Sequence, residues 1–257
     1  MAATHFDLRA RLASGEPFLF SWMTVPSAAL AAQVARLPFD GVCLDMQHGM
    51  IGFSDAVPMI AAINGAGRPA LVRSLWNDPA IPGQAFDAGA TCVIAPMVNS
   101  RAQAEALVRA AKYPPLGARS WGGYTAIQAS GLSAPEYLRA ANRMTMVFAM
   151  VETVEALSNV EEIAATPGLD GLFVGPSDLS ITLSNGERVD KTGAETLEAM
   201  KRVAAAAQRN GLVAGAFGGS AEVIKAYQAI GFTFLAAAVD VDLMQWGAAS
   251  LKQSLAV

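Results

Sequence analysis

His48, one of only two histidines in the chain, stands three residues after an aspartate in "GVCLDMQHG", Gly41 to Gly49. There the apolar Val42, Cys43 and Leu44 give way to Asp45, Gln47 and His48. Three other apolar runs end in the same manner: Arg73 in "LVRS", Glu152 closing "MTMVFAMVE", and Asp178 in "VGPSD". Carboxylates ligate hard divalent cations, a guanidinium receives an anion, and an imidazole moves protons near neutrality. Brought together, these groups offer metal ligation, anion binding and proton transfer at one place. Each alone has a structural alternative. Asp178, following Gly-Pro-Ser, could cap a helical turn. Glu152 could complement a helix dipole. Arg73 could belong to a structural ion pair, since a buried guanidinium needs an anionic partner. His48 could be a hydrogen-bonded structural histidine.

Whether these side chains meet depends on the elements that carry them. Eight apolar runs of strand length recur: "PFLFSWMTV", "GVCLDMQ", "PALVRSL", "TCVIAPMV", "MTMVFAMVE", "GLFVGPS", "LVAGAFG" and "FTFLAAAVD". Segments of helical period separate them, from "SAALAAQVARL" through "GAETLEAMKRVAAAAQRNG" to a last helix from Val241 to about Ser254. Continuous apolar strands imply a parallel sheet covered on both faces. Eight βα units in 257 residues predict a single (β/α)8 barrel over residues 1–257, with an open doubly wound sheet as the other arrangement. Glycines between a helix and the next strand, as in "DAGATCVIAP" and "RNGLVAGAF", fit left-handed helix ends. In such a barrel the carboxyl ends of the strands share one mouth, which gathers Asp45, Gln47, His48, Arg73, Glu152 and Asp178. One connection is long: residues 113–143, "YPPLGARSWGGYTAIQASGLSAPEYLRAANR", predicted to be an active-site cover or a subunit contact.

Composition narrows the function. A net charge of -4 with no lysine or arginine run argues against nucleic acid, whose phosphates demand a basic face. No apolar stretch approaches the roughly 20 residues of a membrane-spanning helix. The N-terminal "MAATHFDLRARLASGEP" lacks the apolar core of a secretory signal. Cys43 and Cys92 both lie in apolar runs and read as reduced core thiols, which makes the cytoplasm the expected compartment.

The stretches "FDGVCLDMQHG", "LVRSLWNDP", "FDAGATCVIAPMV", "YPPLGARS", "VETVEAL" and "LDGLFVGPSDLS" resemble, in this order, the HpcH/HpaI aldolase family of class II metal-dependent pyruvate aldolases. The likeness runs from about residue 16 to 245. It implies reversible cleavage of a 4-hydroxy-2-keto acid to pyruvate or hydroxypyruvate and an aldehyde. It implies a divalent metal on Glu152 and Asp178, chelated by the keto acid, with backbone amides around Gly175 and Ser177 receiving the carboxylate. Arg73 would bind the keto or enolate oxygen. His48 would be the acid/base, paired with Asp87, while Asp45 supports the ligand network. Gln47, Trp22 and Arg119 are further substrate-binding candidates. An oxygen-rich donor set favours Mg2+ or Mn2+, with Co2+ also able to serve. The resemblance further implies a homo-oligomer, typically a hexamer, whose last helix packs on a neighbouring subunit.

Three positions depart from the family pattern. Met46-Gln47 stands where many members carry Gly-Glu, and Met150 replaces a glutamine. No basic residue occurs from Trp121 to Ala129, which predicts a neutral or hydroxylated aldehyde. A Schiff-base aldolase would need a lysine at a strand end, yet Lys112, Lys191, Lys201, Lys225 and Lys252 all read as helical or loop residues. A citryl- or malyl-CoA lyase would want a larger basic surface, and a non-catalytic keto-acid-binding barrel would have no use for His48, Asp87 and Arg73 together.

Overall fold

Alternation along the strands decides which residues face the barrel axis. A computed structural model describes residues 7–76 and 78–255. Its strands are β1 (Phe18–Met23), β2 (Gly41–Asp45), β3 (Ala70–Arg73), β4 (Cys92–Ala95), β5 (Met146–Val151), β6 (Gly171–Val174), β7 (Val213–Phe217) and β8 (Phe234–Val239). All pair in parallel with their sequence neighbours, and β8 closes onto β1. This is the predicted (β/α)8 barrel rather than an open sheet.

Two apolar layers follow from the period of two. Phe18, Phe20, Trp22, Cys43, Leu71, Cys92, Ile94, Phe148, Met150, Phe173 and Phe234 point inward and fill the barrel. Val42, Leu44, Val72, Val93, Val147, Leu172 and Val174 point outward, against the helices. The interior is strongly aromatic. Phe234 stacks on Phe148 at 4.8 Å between centroids and lies 4.5 Å from Phe20. Leu8 and Leu12, from the short helix Leu8–Ala13, join this cluster and stop its amino end. That helix had no counterpart in the sequence reading.

Two other differences bear on function. An extra helix, Pro176–Leu183, follows β6 before the long barrel helix Ala194–Arg209. It lifts Asp178 into a helical first turn. The long connection joins the helix Arg101–Ala111 to the start of β5 and carries two helices, Tyr124–Ser130 and Ala134–Met144. It packs its own small core of Tyr113, Ala126, Tyr137, Ala141 and Met144. Its end meets the N-terminal helix, where Arg9 donates to the Arg143 carbonyl at 3.1 Å. The connection therefore lies at the amino end of the barrel and does not cover this chain's own mouth. The reason is topological: a helix-to-strand connection returns to the end at which strands begin.

Phe234 is fully buried among four aromatic neighbours. Phe234→Ala should destabilise the barrel by about 3–5 kcal/mol, read from the urea midpoint of unfolding. A loss below 1 kcal/mol, on the order of a surface change, would mean that the interior can refill the void.

Candidate active site

Asp45 and Arg73 are direct register partners on β2 and β3. Both follow inward-facing residues at spacing two, so both side chains enter the mouth. They meet as a fork: Arg73 Nε donates to Asp45 Oδ1 at 2.8 Å and Nη2 to Oδ2 at 2.5 Å. Trp22 Nε1 adds a bond to Oδ2 at 3.1 Å, and its ring lies 4.9 Å beneath the guanidinium carbon. The backbone amides of Gln47 and His48 donate to Oδ1 at 3.0 and 3.2 Å. Burial alone would raise the Asp45 carboxyl, but the hydrogen bonds and charge of Arg73, with Trp22 and the His48 amide, hold it below its ordinary 3.8. Asp45 is thus an ionised anchor with both oxygens engaged. Its action on a ligand runs through Arg73 and the turn bearing His48.

Across the mouth, Glu152 is 2% exposed at the end of β5. Its Oε1 accepts from the Met97 amide at 2.7 Å. Met97 holds φ at +57°, a left-handed conformation uncommon for a side-chain-bearing residue, and this aims the amide at the carboxylate. Desolvation pushes the Glu152 pKa up to about 7 from 4.5. The Met97 amide and Arg73 oppose the rise, and the charge of Asp178 adds to it. Gly175 faces Glu152 from β6's end, where a Cβ would lie 2.4 Å from Oε2 and 2.7 Å from Met150 Cε. Any side chain there would fill the space over the carboxylate. Asp178 is exposed at the mouth, three residues on.

Among the described residues no group of three or more His, Cys, Asp or Glu side chains is placed to hold a metal. The Glu152–Asp178 pair fits a hard cation on other grounds. Its donors are all oxygen, the two charges repel each other, and the glycine leaves the room that a ligand shell requires. Magnesium sites commonly use one or two carboxylates, with water and substrate oxygens completing the shell. The first bond of the helix Pro176–Leu183 runs from the Leu179 amide to the Gly175 carbonyl at 2.9 Å. The Ser177 and Asp178 amides precede it without an intrahelical acceptor, the arrangement by which helix N-termini receive anions.

A cavity of about 270 Å3 joins these groups, lined by Trp22, Asp45, His48, Arg73, Gly175, Ser177 and Asp178. Glu152 lies just behind the lining. Thr24, Met150, Phe217 and Val239 also line it, a mostly apolar wall on β1, β5, β7 and β8. Asp240 had no place in the sequence reading. It is buried and ties down the end of β1 by accepting from Thr24 N, Thr24 Oγ1 and Val25 N at 2.8 to 3.0 Å. A carboxylate closing an apolar run was its signal in the sequence.

Three expected residues stand apart. Gln47 bonds Asp45 through its backbone, and its side chain does not reach the lining. Asp87 ends the helix Ile81–Asp87, which runs back from the mouth, and its Oδ1 accepts from Arg119 Nη2 at 2.5 Å. Arg119 lies over the rings of Tyr113 and Phe86. The expected His48–Asp87 pair is therefore not made within one chain, because the helix carries Asp87 to the opposite end of the barrel. Lys112 is no Schiff-base candidate either: it is buried at that same end, 2.8 Å from Asp170 Oδ2 and 2.6 Å from the Thr145 carbonyl.

The family model for HpcH/HpaI aldolase/citrate lyase matches residues 19–245, nearly the whole barrel. The chain belongs to the HpcH/HpaI aldolase/citrate lyase family. As an HpcH/HpaI protein it is an enzyme of the carbon–carbon lyase type. It is similar to the hydroxypyruvate/pyruvate aldolase of Rhizorhabdus wittichii, 39% identical over 230 residues and 90% of each chain. It is 34% identical over 240 residues, 92% of each chain, to the 2-dehydro-3,6-dideoxy-6-sulfogluconate aldolase of Pseudomonas putida. The crystal structure of an HpcH/HpaI aldolase/citrate lyase family protein from Burkholderia cenocepacia superposes with a TM-score of 0.87 at 30% identity, covering 98% of this chain and 99% of that one.

The raised pKa of Glu152 has a definite sign in stability. An acid whose folded pKa is raised contributes stability below its unfolded value, here 4.5, and loses it as pH climbs through about 7. Metal-free Glu152→Gln, which does not titrate, should therefore gain on the wild type between those limits. The gain should level off near pH 8, at roughly 3 kcal/mol. Parallel unfolding curves in EDTA at pH 5 and pH 8 measure it, and an equal difference at both would show that Glu152 is not raised.

Proposed function

We propose that the chain is a class II pyruvate aldolase, cleaving 4-hydroxy-2-keto acids reversibly to pyruvate, or hydroxypyruvate, and an aldehyde. The observation that carries this reading is the Arg73 fork on Asp45, sharing one cavity with Asp178 while Glu152 lies just behind the lining. Breaking the C3–C4 bond sends its electron pair toward the keto oxygen, and the barrier is mostly the cost of that charge. Glu152 and Asp178 would hold a divalent cation, Mg2+ or Mn2+ by donor type with Co2+ as a further candidate, which when bound withdraws electron density from the keto group. Arg73 uses Nε and one Nη2 hydrogen on Asp45, leaving its other N–H groups for the developing enolate oxygen. Because Asp45 fixes the guanidinium beforehand, little reorganisation is needed as the charge forms. The Ser177 turn receives the substrate carboxylate. His48, its backbone held by Asp45, takes the 4-hydroxyl proton as the aldehyde leaves. Asp87 could support His48 only from a neighbouring copy.

A homo-oligomer, a hexamer by resemblance, accords with the helix Asp240–Ser254. Asp240 is its only buried residue, while Met244, Trp246, Leu251 and Leu255 are exposed. The cytoplasm is the compartment that suits two free, buried thiols. No described helix is long and apolar enough to cross a membrane.

Pyruvate release from 4-hydroxy-2-keto acids, measured with EDTA and then with Mg2+, Mn2+ or Co2+ restored, tests the reading. Turnover that returns with metal supports it, and turnover that persists in EDTA removes it. Arg73→Ala should lower kcat by at least about 100-fold. Asp45→Asn should lose about tenfold or more, since a neutral amide cannot hold the fork. Gly175→Ala should act on metal affinity, raising the metal concentration for half-maximal activity; an unchanged value would show that the space over Glu152 is not used.

A further inference from the structure

The outer wall of the cavity ends in a cation that none of the steps above employ. Phe217, at the end of β7, meets Trp22 edge-on with centroids 5.3 Å apart. On Phe217 in turn lies Lys191, its Nζ 5.3 Å from the ring centroid. Lys191 is half-buried, in the segment between the helices Pro176–Leu183 and Ala194–Arg209. Its backbone is fixed from several sides. The hydroxyl of buried Tyr227 donates to the Lys191 carbonyl at 2.8 Å. Asp190 N donates to Ser180 Oγ at 3.0 Å, and that hydroxyl donates to the Ser177 carbonyl at 2.8 Å. Thr196 Oγ1 closes the frame on the Asp190 carbonyl at 2.8 Å. Lys191 is thereby tied to the turn that carries Ser177 and Asp178.

Among the described residues its ammonium has no ion-pair partner. Lys112 is paired with Asp170 and Lys201 with Glu198. The adjacent Asp190 carboxylate accepts instead from the Thr192 amide. A ring face under a lysine lowers the cost of its partial burial without neutralising it. The charge stays available to an incoming anion.

We propose that Lys191, seated on Phe217, forms an acceptor subsite that selects aldehydes ending in an anionic group such as a carboxylate or a phosphate. The proposal rests on the aldolase reading. With the keto-acid half held by Arg73 and the Ser177 turn, the aldehyde half extends along the apolar wall of Trp22, Phe217 and Val239, and Lys191 lies beyond that wall. The expectation of a neutral acceptor came from the lack of basic residues between Trp121 and Ala129. Those residues belong to the connection at the amino end of the barrel, so they do not read the acceptor bound in the same chain. Lys191, beside Phe217 of the lining, is a cation at the mouth in addition to Arg73.

The test compares kcat/KM for pyruvate addition to matched aldehydes: succinic semialdehyde against butanal, and glyceraldehyde 3-phosphate against glyceraldehyde. Lys191→Met should lose roughly fivefold or more on the anionic member of at least one pair, while the neutral member moves less than twofold. The pair that responds identifies the anion, and Lys191→Arg should recover most of the loss. Equal losses on both members, or no loss on either anionic aldehyde, would overturn the subsite. Exchange of pyruvate methyl protons into D2O, which needs no acceptor, separates the two readings. Exchange present with unmoved ratios sinks the subsite alone; no metal-dependent exchange in the wild type sinks the aldolase and the subsite with it.

Discussion

The two-pronged bond between Asp45 and Arg73 is the constraint around which the mouth is arranged. A guanidinium brought this far from water requires an ionised partner, and the partner must also be supplied with donors on its remaining lone pairs. The chain provides them from two directions: the Trp22 indole across β1, and the amides of Gln47 and His48 from the turn after β2. One carboxylate thus fixes the arginine, the indole and the histidine-bearing turn together. Gly49 belongs to the same arrangement, since a Cβ there would lie 2.3 Å from the Asp45 carbonyl oxygen. The opening motif, with its acid, its histidine and its closing glycine, is one structural unit.

Against this well-satisfied ion pair, the carboxylates opposite are under-satisfied. Glu152 has a single backbone donor and a pKa near 7, and Asp178 adds charge of the same sign. Such an imbalance costs stability in the metal-free chain, and burying an acid without a partner is uncommon unless a ligand answers it. The unusual backbone at Met97 and the close approach at Gly175 both serve this one acid, which is where conformational strain tends to collect.

Much of this could be read from the sequence, because a barrel converts position along a strand into position in space. Inward-facing Leu71 predicts inward-facing Arg73, and Met150 predicts Glu152, by the same count of two. Asp178 was legible through its motif, although the helix that lifts it was not: the eight residues from Pro176 to Leu183 show no strong apolar periodicity. Asp87 and Arg119 lie apart from the mouth of their own chain for the opposite reason. Their motifs were visible, but local pattern does not tell which end of the barrel a helix terminus reaches, and the chain's direction carries both to the amino end. Lys191 was legible only as a loop lysine. Its meaning comes from Tyr227, Ser180 and Phe217, which are distant in sequence and contribute hydroxyls and a ring rather than charge.

The aromatic filling of the interior, stopped from below by Leu8 and Leu12, closes the barrel at its amino end and leaves the cavity to open at the carboxyl ends of the strands. Traffic through that mouth would be sequential. On the proposed placement, with the keto-acid portion on the Arg73 side and the aldehyde portion nearer the entrance, the fragment closest to solvent would depart first and pyruvate would follow. In synthesis the queue reverses, and an aldehyde arriving early would obstruct its own partner.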